Sequence, residues 1–133
     1  MIDVSKKILI IEDEEIISNL LARKLSQVGY EVRVAFNGKE GMEMLCQEKP
    51  DLILIDIVMP QKDGFETIAE IKSDQTLKDI PIIIVSNSGQ PVELDKAREL
   101  GVNDWLIKTD FDPQEVIQKV NKALAKTSPQ GDA

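Results

Sequence analysis

The stretch Leu52-Ile53-Leu54-Ile55-Asp56-Ile57-Val58-Met59-Pro60-Gln61-Lys62-Asp63-Gly64 gives the clearest indication of how this chain folds. Its first four residues form an uninterrupted aliphatic run, which is typical of a strand that a parallel sheet buries on both faces. Asp56 follows the run directly, at a position where burial of an unpaired carboxylate is expensive. The stretch therefore predicts a central strand that ends in a functional carboxylate rather than a structural one.

Four further apolar runs alternate with amphipathic helical segments on either side of this strand. The five runs span residues 8–11, 32–35, 52–55, 82–85 and 105–107. The second run alternates apolar with charged residues and the fifth is short, so both are expected at the edges of the sheet. Right-handed crossovers then favour a flavodoxin-like, doubly wound, five-stranded parallel sheet of order 2-1-3-4-5 with five helices, in the α/β class.

Capping residues mark where several helices begin and end. Asn37, Asp63 and Asp112 each stand three residues before a glutamate, which predicts helix starts. Gly29 and Gly101 follow helical segments and predict helix ends. The apolar stripes of the first and last helices are Ile16, Ile17, Leu20, Leu21, Leu25 and Val28, and Val116, Ile117, Val120 and Leu124.

The composition excludes several classes of function. Sixteen Lys and Arg against 24 Asp and Glu give the 133 residues a formal net charge of −8, which disfavours binding to nucleic acid. The chain has no histidine, which excludes Ser-His-Asp and Cys-His nucleophiles and histidine-containing zinc sites. A single domain without internal repeats is expected, with a flexible C-terminal tail over residues 127–133.

Cys46 is the only cysteine, so no disulfide framework exists and a reducing compartment is expected. It shares a helical stripe with Met42 and Leu45 and is predicted to be in the core. No signal-peptide pattern opens the chain, and no apolar run approaches the roughly 20 residues that span a bilayer. We therefore expect a cytoplasmic protein without membrane insertion.

Polar side chains follow four of the five predicted strands. Glu12 and Asp13 follow the first strand, Asp56 the third, Ser86 the fourth and Lys108 the fifth. Ligands bind beyond the carboxyl ends of strands in an open parallel sheet, so these side chains are expected to converge. Neighbouring carboxylates suit Mg²⁺, and an aspartyl carboxylate with a lysine beside it suits phosphoryl transfer.

In this order, the residues resemble the receiver domain of two-component response regulators, in its single-domain, chemotaxis-regulator-like form. The resemblance rests on the D-x-x-M-P-x-x-D-G run from Asp56 to Gly64, on Ile10-Ile11-Glu12-Asp13-Glu14, on Ser86 and on Lys108. It covers roughly residues 7–126, so a receiver domain is expected over residues 1–126, acting alone without an attached output domain.

The resemblance implies a role for each of these residues. Asp56 would be phosphorylated by a sensor histidine kinase or a histidine phosphotransfer protein. Glu12, Asp13, Asp56 and the backbone carbonyl of Val58 would hold Mg²⁺, for which Mn²⁺ could substitute. Lys108 would neutralise the phosphoryl oxygens.

The resemblance also implies a conformational output. Ser86 would contact the phosphoryl oxygens together with Lys108, because its hydroxyl would turn towards the phosphoryl group in the active state. Ser86 and Trp105 would be the switch residues, and they would change a surface of the fourth helix, fifth strand and fifth helix that contacts a downstream protein. The chain would be a monomer or a phosphorylation-dependent dimer. It would be a regulatory protein with no enzymatic activity beyond self-phosphorylation from a phosphodonor and autodephosphorylation.

Two positions depart from the family pattern. Thr109 follows Lys108 where the family usually has a proline after a cis peptide, so the peptide is either trans or strained. Asn87 is larger than the small residue usual after the switch serine. Its bulk predicts altered dephosphorylation kinetics, and equal hydrolysis rates for wild type and Asn87→Ala would disprove this.

Other functions stay open from the sequence. A pseudo-receiver would keep the fold as an interaction module that does not depend on phosphorylation. A small phosphatase with an aspartyl nucleophile lacks a cap or substrate pocket beyond the acidic site. A flavin-binding protein of the same fold lacks a phosphate-binding glycine loop.

Overall fold

A computed structural model of the chain describes residues 6–57, 59, 62–86, 91–108 and 112–127. Five strands alternate with five helices. In chain order they are β1 (Lys7–Ile11), α1 (Glu15–Gln27), β2 (Glu31–Ala35), α2 (Gly38–Gln47), β3 (Leu52–Asp56), α3 (Gly64–Ser73), β4 (Ile82–Ser86), α4 (Pro91–Glu99), β5 (Asp104–Ile107) and α5 (Pro113–Thr127).

All five strands form one parallel sheet of order β2-β1-β3-β4-β5, which confirms the predicted topology and both predicted edge strands. Alternate residues of the central strands point to opposite faces. Leu9, Ile11, Ile53 and Ile55 pack with side chains of α2, α3 and α4. Residues one position away, such as Ile10, pack with α1 and α5. The sheet is therefore buried on both faces, as its aliphatic strands indicate.

The predicted helix boundaries are confirmed. Asn37 Oδ1 accepts a hydrogen bond from the Glu40 backbone N–H at 2.8 Å. Asp63 and Glu66 form a reciprocal capping box at the start of α3. Asp112 Oδ1 accepts from the backbone N–H of Gln114 at 2.9 Å. The two predicted helix ends, Gly29 and Gly101, have φ values of 106° and 88°, which glycine adopts at low cost.

Three apolar residues that were expected in the core are exposed instead. The buried face of α1 follows Leu21 and Leu25, and Ile16 lies about 140° around the helix from Leu21, so 83% of it is exposed. Val28 lies beyond the last residue of α1 and is 51% exposed. Cys46 is exposed because it lies about 100° around α2 from the buried Leu45.

Helix α5 continues through Thr127, the first residue of the predicted tail. Residues 128–133 lie outside the described part of the chain. Within the described ranges, none of the helices has the length and apolar character that crossing a bilayer requires.

Candidate functional site

The parallel register brings the predicted site residues together at the carboxyl ends of the strands, which form one edge of the sheet. Ile11 pairs with Ile55, so Glu12 lies level with Asp56, the last residue of β3. Asp56 pairs with Val85, which precedes Ser86 at the end of β4. Lys108 follows β5, and its backbone N–H donates to the carbonyl oxygen of Ser86 at 2.7 Å. The topology therefore places residues from four strands side by side.

Asp56 and Glu12 are buried carboxylates, with exposed fractions of 3% and 1%. The backbone N–H of Glu12 donates to the carbonyl oxygen of Ala35 at 2.9 Å, which holds Glu12 against the neighbouring strand. Its Oε2 accepts a hydrogen bond from the backbone N–H of Glu14 at 3.0 Å. Glu12 Oε1 is also buried but has no hydrogen-bond partner in the part of the chain that the structure describes. Such an atom calls for a ligand, because an unsatisfied buried oxygen is destabilising.

Three carboxylates meet at this edge. Oxygen atoms of Glu12, Asp13 and Asp56 all lie within 4.8 Å of one another, and Asp13 is the exposed member. Carboxylate oxygens are the ligands that Mg²⁺ prefers, and the unpartnered Glu12 Oε1 offers a coordination position. The residues therefore fit a divalent cation. Val58, whose carbonyl was also expected to be a ligand, lies outside the described residues.

Lys108 is the cation that faces these carboxylates. Its Nζ lies 2.9 Å from Glu12 Oε2 and 3.2 Å from Asp56 Oδ2, and only 4% of its side chain is exposed. Glu14 forms a third ion pair with the same ammonium. Glu14 was not assigned a role from the sequence, because 94 residues separate it from Lys108 and only the fold brings the two together.

Burial controls the ionisation of this group. It raises the pKa of Glu12 to about 7, although hydrogen bonds from Lys108 and Glu14 oppose the shift. Burial also raises the pKa of Asp56, while the ammonium of Lys108 partly offsets it. Burial by itself would lower the pKa of Lys108, but hydrogen bonds to Glu14 and Glu12 raise it above its ordinary value. The lysine is therefore firmly charged, whereas Glu12 changes its charge near neutral pH.

The two predicted switch residues occupy neighbouring strands. Ser86 is 2% exposed and ends β4, one residue past the partner of Asp56. Trp105 pairs with Ile84 and is partly buried against the core on the α3 and α4 face of the sheet. Asn87 and Thr109, the two departures from the family pattern, lie outside the described residues, and so does the peptide that joins Lys108 to Thr109.

Gly64 also shapes the site, although its sequence context suggests only a turn after Asp63. A Cβ atom built on Gly64 would lie 2.2 Å from the carbonyl oxygen of Asp56 and 2.7 Å from the Cα of Ile57. The backbone N–H of Gly64 donates to the carbonyl oxygen of Ile57 at 2.7 Å. The start of α3 can therefore approach the end of β3 only because position 64 has no side chain.

Known proteins share the sequence pattern that carries this site. Residues 8–121 match the family model of the response regulator receiver domain. The phosphate regulon transcriptional regulatory protein PhoB of Pseudomonas aeruginosa is 35% identical over 130 residues, which are 98% of this chain and 56% of that protein. The chain spans about half the length of the curated relatives it matches.

Solved structures agree with the family match. The phosphorylated cyanobacterial phytochrome response regulator RcpA is 34% identical with a TM-score of 0.80, covering 94% of this chain and 98% of its own. The Mn²⁺-bound form of response regulator Rcp1 is 30% identical with a TM-score of 0.76, covering 90% and 92%. With its sheet order, its acidic edge and these matches taken together, the chain belongs to the response regulator receiver domain family.

Proposed function

We propose that this receiver domain takes up a phosphoryl group on Asp56 and signals by contact with another protein. The observation that carries the proposal is the position of the Lys108 ammonium, 3.2 Å from Asp56 Oδ2 and 2.9 Å from Glu12 Oε2. A buried aspartate with a charged lysine beside it and two further carboxylates in reach combines a nucleophile with charge neutralisation.

The transfer step follows from the chemistry of an aspartyl nucleophile. A carboxylate oxygen of Asp56 attacks the phosphorus of a phosphohistidine, and the P–N bond breaks. The electron pair of that bond goes to the imidazole nitrogen, which takes up a proton from solvent. Hydrolysis reverses the modification: a water oxygen attacks phosphorus, the bond between phosphorus and the Asp56 oxygen breaks, and its electron pair restores the carboxylate. The water gives up a proton to solvent, and inorganic phosphate is released.

Glu12, Asp13 and Asp56 would hold a Mg²⁺ ion, or Mn²⁺ in its place, together with the carbonyl of Val58. When bound, the metal supplies the positive charge that an anionic phosphoryl donor needs to approach several carboxylates. Support comes from the donor set itself, from the unpartnered Glu12 Oε1, and from the Mn²⁺-bound relative Rcp1. Lys108 neutralises the transferred phosphoryl oxygens.

A histidine kinase or a histidine phosphotransfer protein would be the phosphoryl donor, as in the receiver domain family. The chain has no histidine, so the phosphohistidine would be on that other protein. Ser86 and Trp105 would pass the change to the face formed by α4, β5 and α5. A cleft of about 310 Å³ on that face is lined by acidic and basic side chains, including Asp104, Glu115 and Lys119. Mixed charge of this kind suits a downstream protein or a second phosphorylated copy rather than nucleic acid.

In this function the chain is a regulatory protein, and self-phosphorylation and dephosphorylation are its only chemistry. The receiver would occupy residues 1–126, with a tail after it. Relatives of this chain include transcriptional regulators about twice its length. Their regulation of transcription is a property of those longer proteins and is not assigned to this chain.

Intact-mass spectrometry after incubation with Mg²⁺ and acetyl phosphate tests the proposal. We expect wild type to gain one phosphoryl mass, and the gain to need the metal and to vanish in Asp56→Asn. Asp79→Asn is the matched control, because Asp79 is exposed and precedes β4, at the amino ends of the strands and away from the site. A folded wild type that gains no mass from acetyl phosphate or from a panel of kinases would favour a pseudo-receiver instead.

A further inference from the structure

The ammonium of Lys108 has three carboxylate partners, and they differ in what else they can do. Glu12 and Asp56 belong to the cluster that can hold a metal, and their side chains are almost fully buried. Glu14 lies outside that cluster, and 51% of its side chain is exposed. Among the three partners, Glu14 alone is not required by a bound cation or by phosphoryl transfer.

The side chain of Glu14 does not cap the helix that begins next to it. Glu14 is the N-cap residue of α1, with φ −84° and ψ 109°, yet its side chain makes no capping hydrogen bond. Its main chain is engaged, because its N–H donates to Glu12 Oε2 and its carbonyl oxygen accepts from the N–H of Ser18. The carboxylate instead turns to Lys108, and replacing it should leave the start of the helix intact.

An ammonium group has three N–H donors, and the three carboxylates can engage all of them. A phosphoryl group on Asp56 needs at least one of these donors. A cation held by Glu12 and Asp56 would place a second positive charge beside the lysine and would weaken the attraction of the ammonium to these two carboxylates. Glu14 is then the partner that keeps the lysine in place, and also the partner that competes with the phosphoryl oxygens for it.

We propose that Glu14 is a positioning residue that anchors the Lys108 ammonium in the unphosphorylated domain and competes with the phosphoryl group for it. The competition rests on the proposed phosphorylation of Asp56. The anchoring is a property of the unphosphorylated chain, so it can be measured separately. With the anchor removed, Lys108 is free to turn towards the phosphoryl group.

The test compares Glu14→Gln with Glu15→Gln. Glu15 is an exposed glutamate in the first turn of α1, so Glu15→Gln removes the same charge from the neighbouring position. The first readout is the side-chain ¹⁵N–¹H resonance of the Lys108 ammonium in Mg²⁺, identified by its loss in Lys108→Arg. We expect Glu14→Gln to shift this resonance and to speed its proton exchange with water at least threefold. Glu15→Gln is expected to leave the resonance at the wild-type position.

The second readout is the rate of phosphoryl uptake from acetyl phosphate, followed by intact mass. We expect uptake to be three- to tenfold faster in Glu14→Gln than in wild type, and within twofold of wild type in Glu15→Gln. The inference would be overturned if the lysine resonance moved equally in the two variants, or if the two variants took up phosphoryl groups at equal rates. In either case, uptake of a phosphoryl group by wild type would still support the proposed function. No mass gain in wild type would instead overturn the proposed function, and the competition with it.

Discussion

The backbone N–H of Lys108 donates a 2.7 Å hydrogen bond to the carbonyl oxygen of Ser86, so the lysine that faces Asp56 is attached to the end of β4. Ser86 is also one of the two predicted switch residues. Any movement of the backbone at Ser86 therefore changes where the Lys108 side chain begins. This links the two groups proposed to contact a phosphoryl group through one main-chain contact.

The first prediction concerns the close approach at Gly64. We expect Gly64→Ala to lower the free energy of unfolding by about 2–3 kcal/mol, because the new Cβ would overlap the backbone at Asp56 and Ile57. Gly29→Ala is the control, because the space around Gly29 is open. This variant should lose only about 1–2 kcal/mol, from its positive φ alone. Urea unfolding measures both, and equal losses would show that the crowding at Gly64 is relieved elsewhere.

The second prediction concerns pH. Glu12 has its pKa raised by burial from 4.5 to about 7, so the folded state binds more protons than the unfolded state between these values. Stability from this group is therefore fully present below pH 4.5 and is lost as the pH rises through 7. The raised pKa of Asp56 acts in the same direction.

Glu12→Gln tests this dependence, because it removes the titrating group while keeping its shape. Without metal, we expect the unfolding free energy of the variant to change less between pH 5 and 7 than that of wild type. Glu15→Gln, at an exposed position, should follow the wild-type curve. Parallel curves for Glu12→Gln and wild type would contradict the prediction.

The third prediction concerns the metal. A ligand that binds only the folded state at ten times its dissociation constant stabilises that state by about 1.4 kcal/mol. We expect Mg²⁺ to raise the melting temperature of wild type by several degrees, and to have little effect on Asp13→Asn. Asp13 is exposed, so the variant should melt close to wild type without metal. A Mg²⁺ shift of full size in Asp13→Asn would place the cation elsewhere.

The fourth prediction concerns the contact between α3 and α4. Lys96 Nζ lies 4.7 Å from the centroid of the Phe65 ring, within the range of a cation–π interaction. A double-mutant cycle of Phe65→Leu and Lys96→Met should give a coupling energy of about 0.5–1 kcal/mol in urea unfolding. A coupling energy of zero would mean that the two groups stabilise the protein independently.

The fold was predictable because apolar runs and amphipathic helical segments alternate five times along the chain. Continuous aliphatic runs predict the buried strands, and the capping residues Asn37, Asp63 and Asp112 mark helix starts that the structure confirms. Exposure along each helix was harder to predict. Ile16 and Cys46 are apolar but lie off the buried face, because the exact rotation of a helix against its sheet depends on packing.

Most of the site was predictable for a similar reason. Parallel strands bring their carboxyl ends to one edge, so Glu12, Asp56 and Lys108 had to meet. The roles of Glu14 and Gly64 could not be predicted in this way. One depends on the reach of a flexible side chain across the fold, and the other on the distance between two backbones.

The exposure of Cys46 makes the natural sequence suitable for spectroscopy. The chain has one thiol, on α2, and one indole, Trp105 on β5. Helix α2 follows the edge strand β2, and β2 and β5 stand at opposite edges of the five-stranded sheet. Four strand spacings separate these two edge strands by roughly 20 Å, so the Trp105 strand lies across the sheet from the strand that precedes α2. Wild-type protein can therefore be labelled at a single position to report movement at the β5 edge.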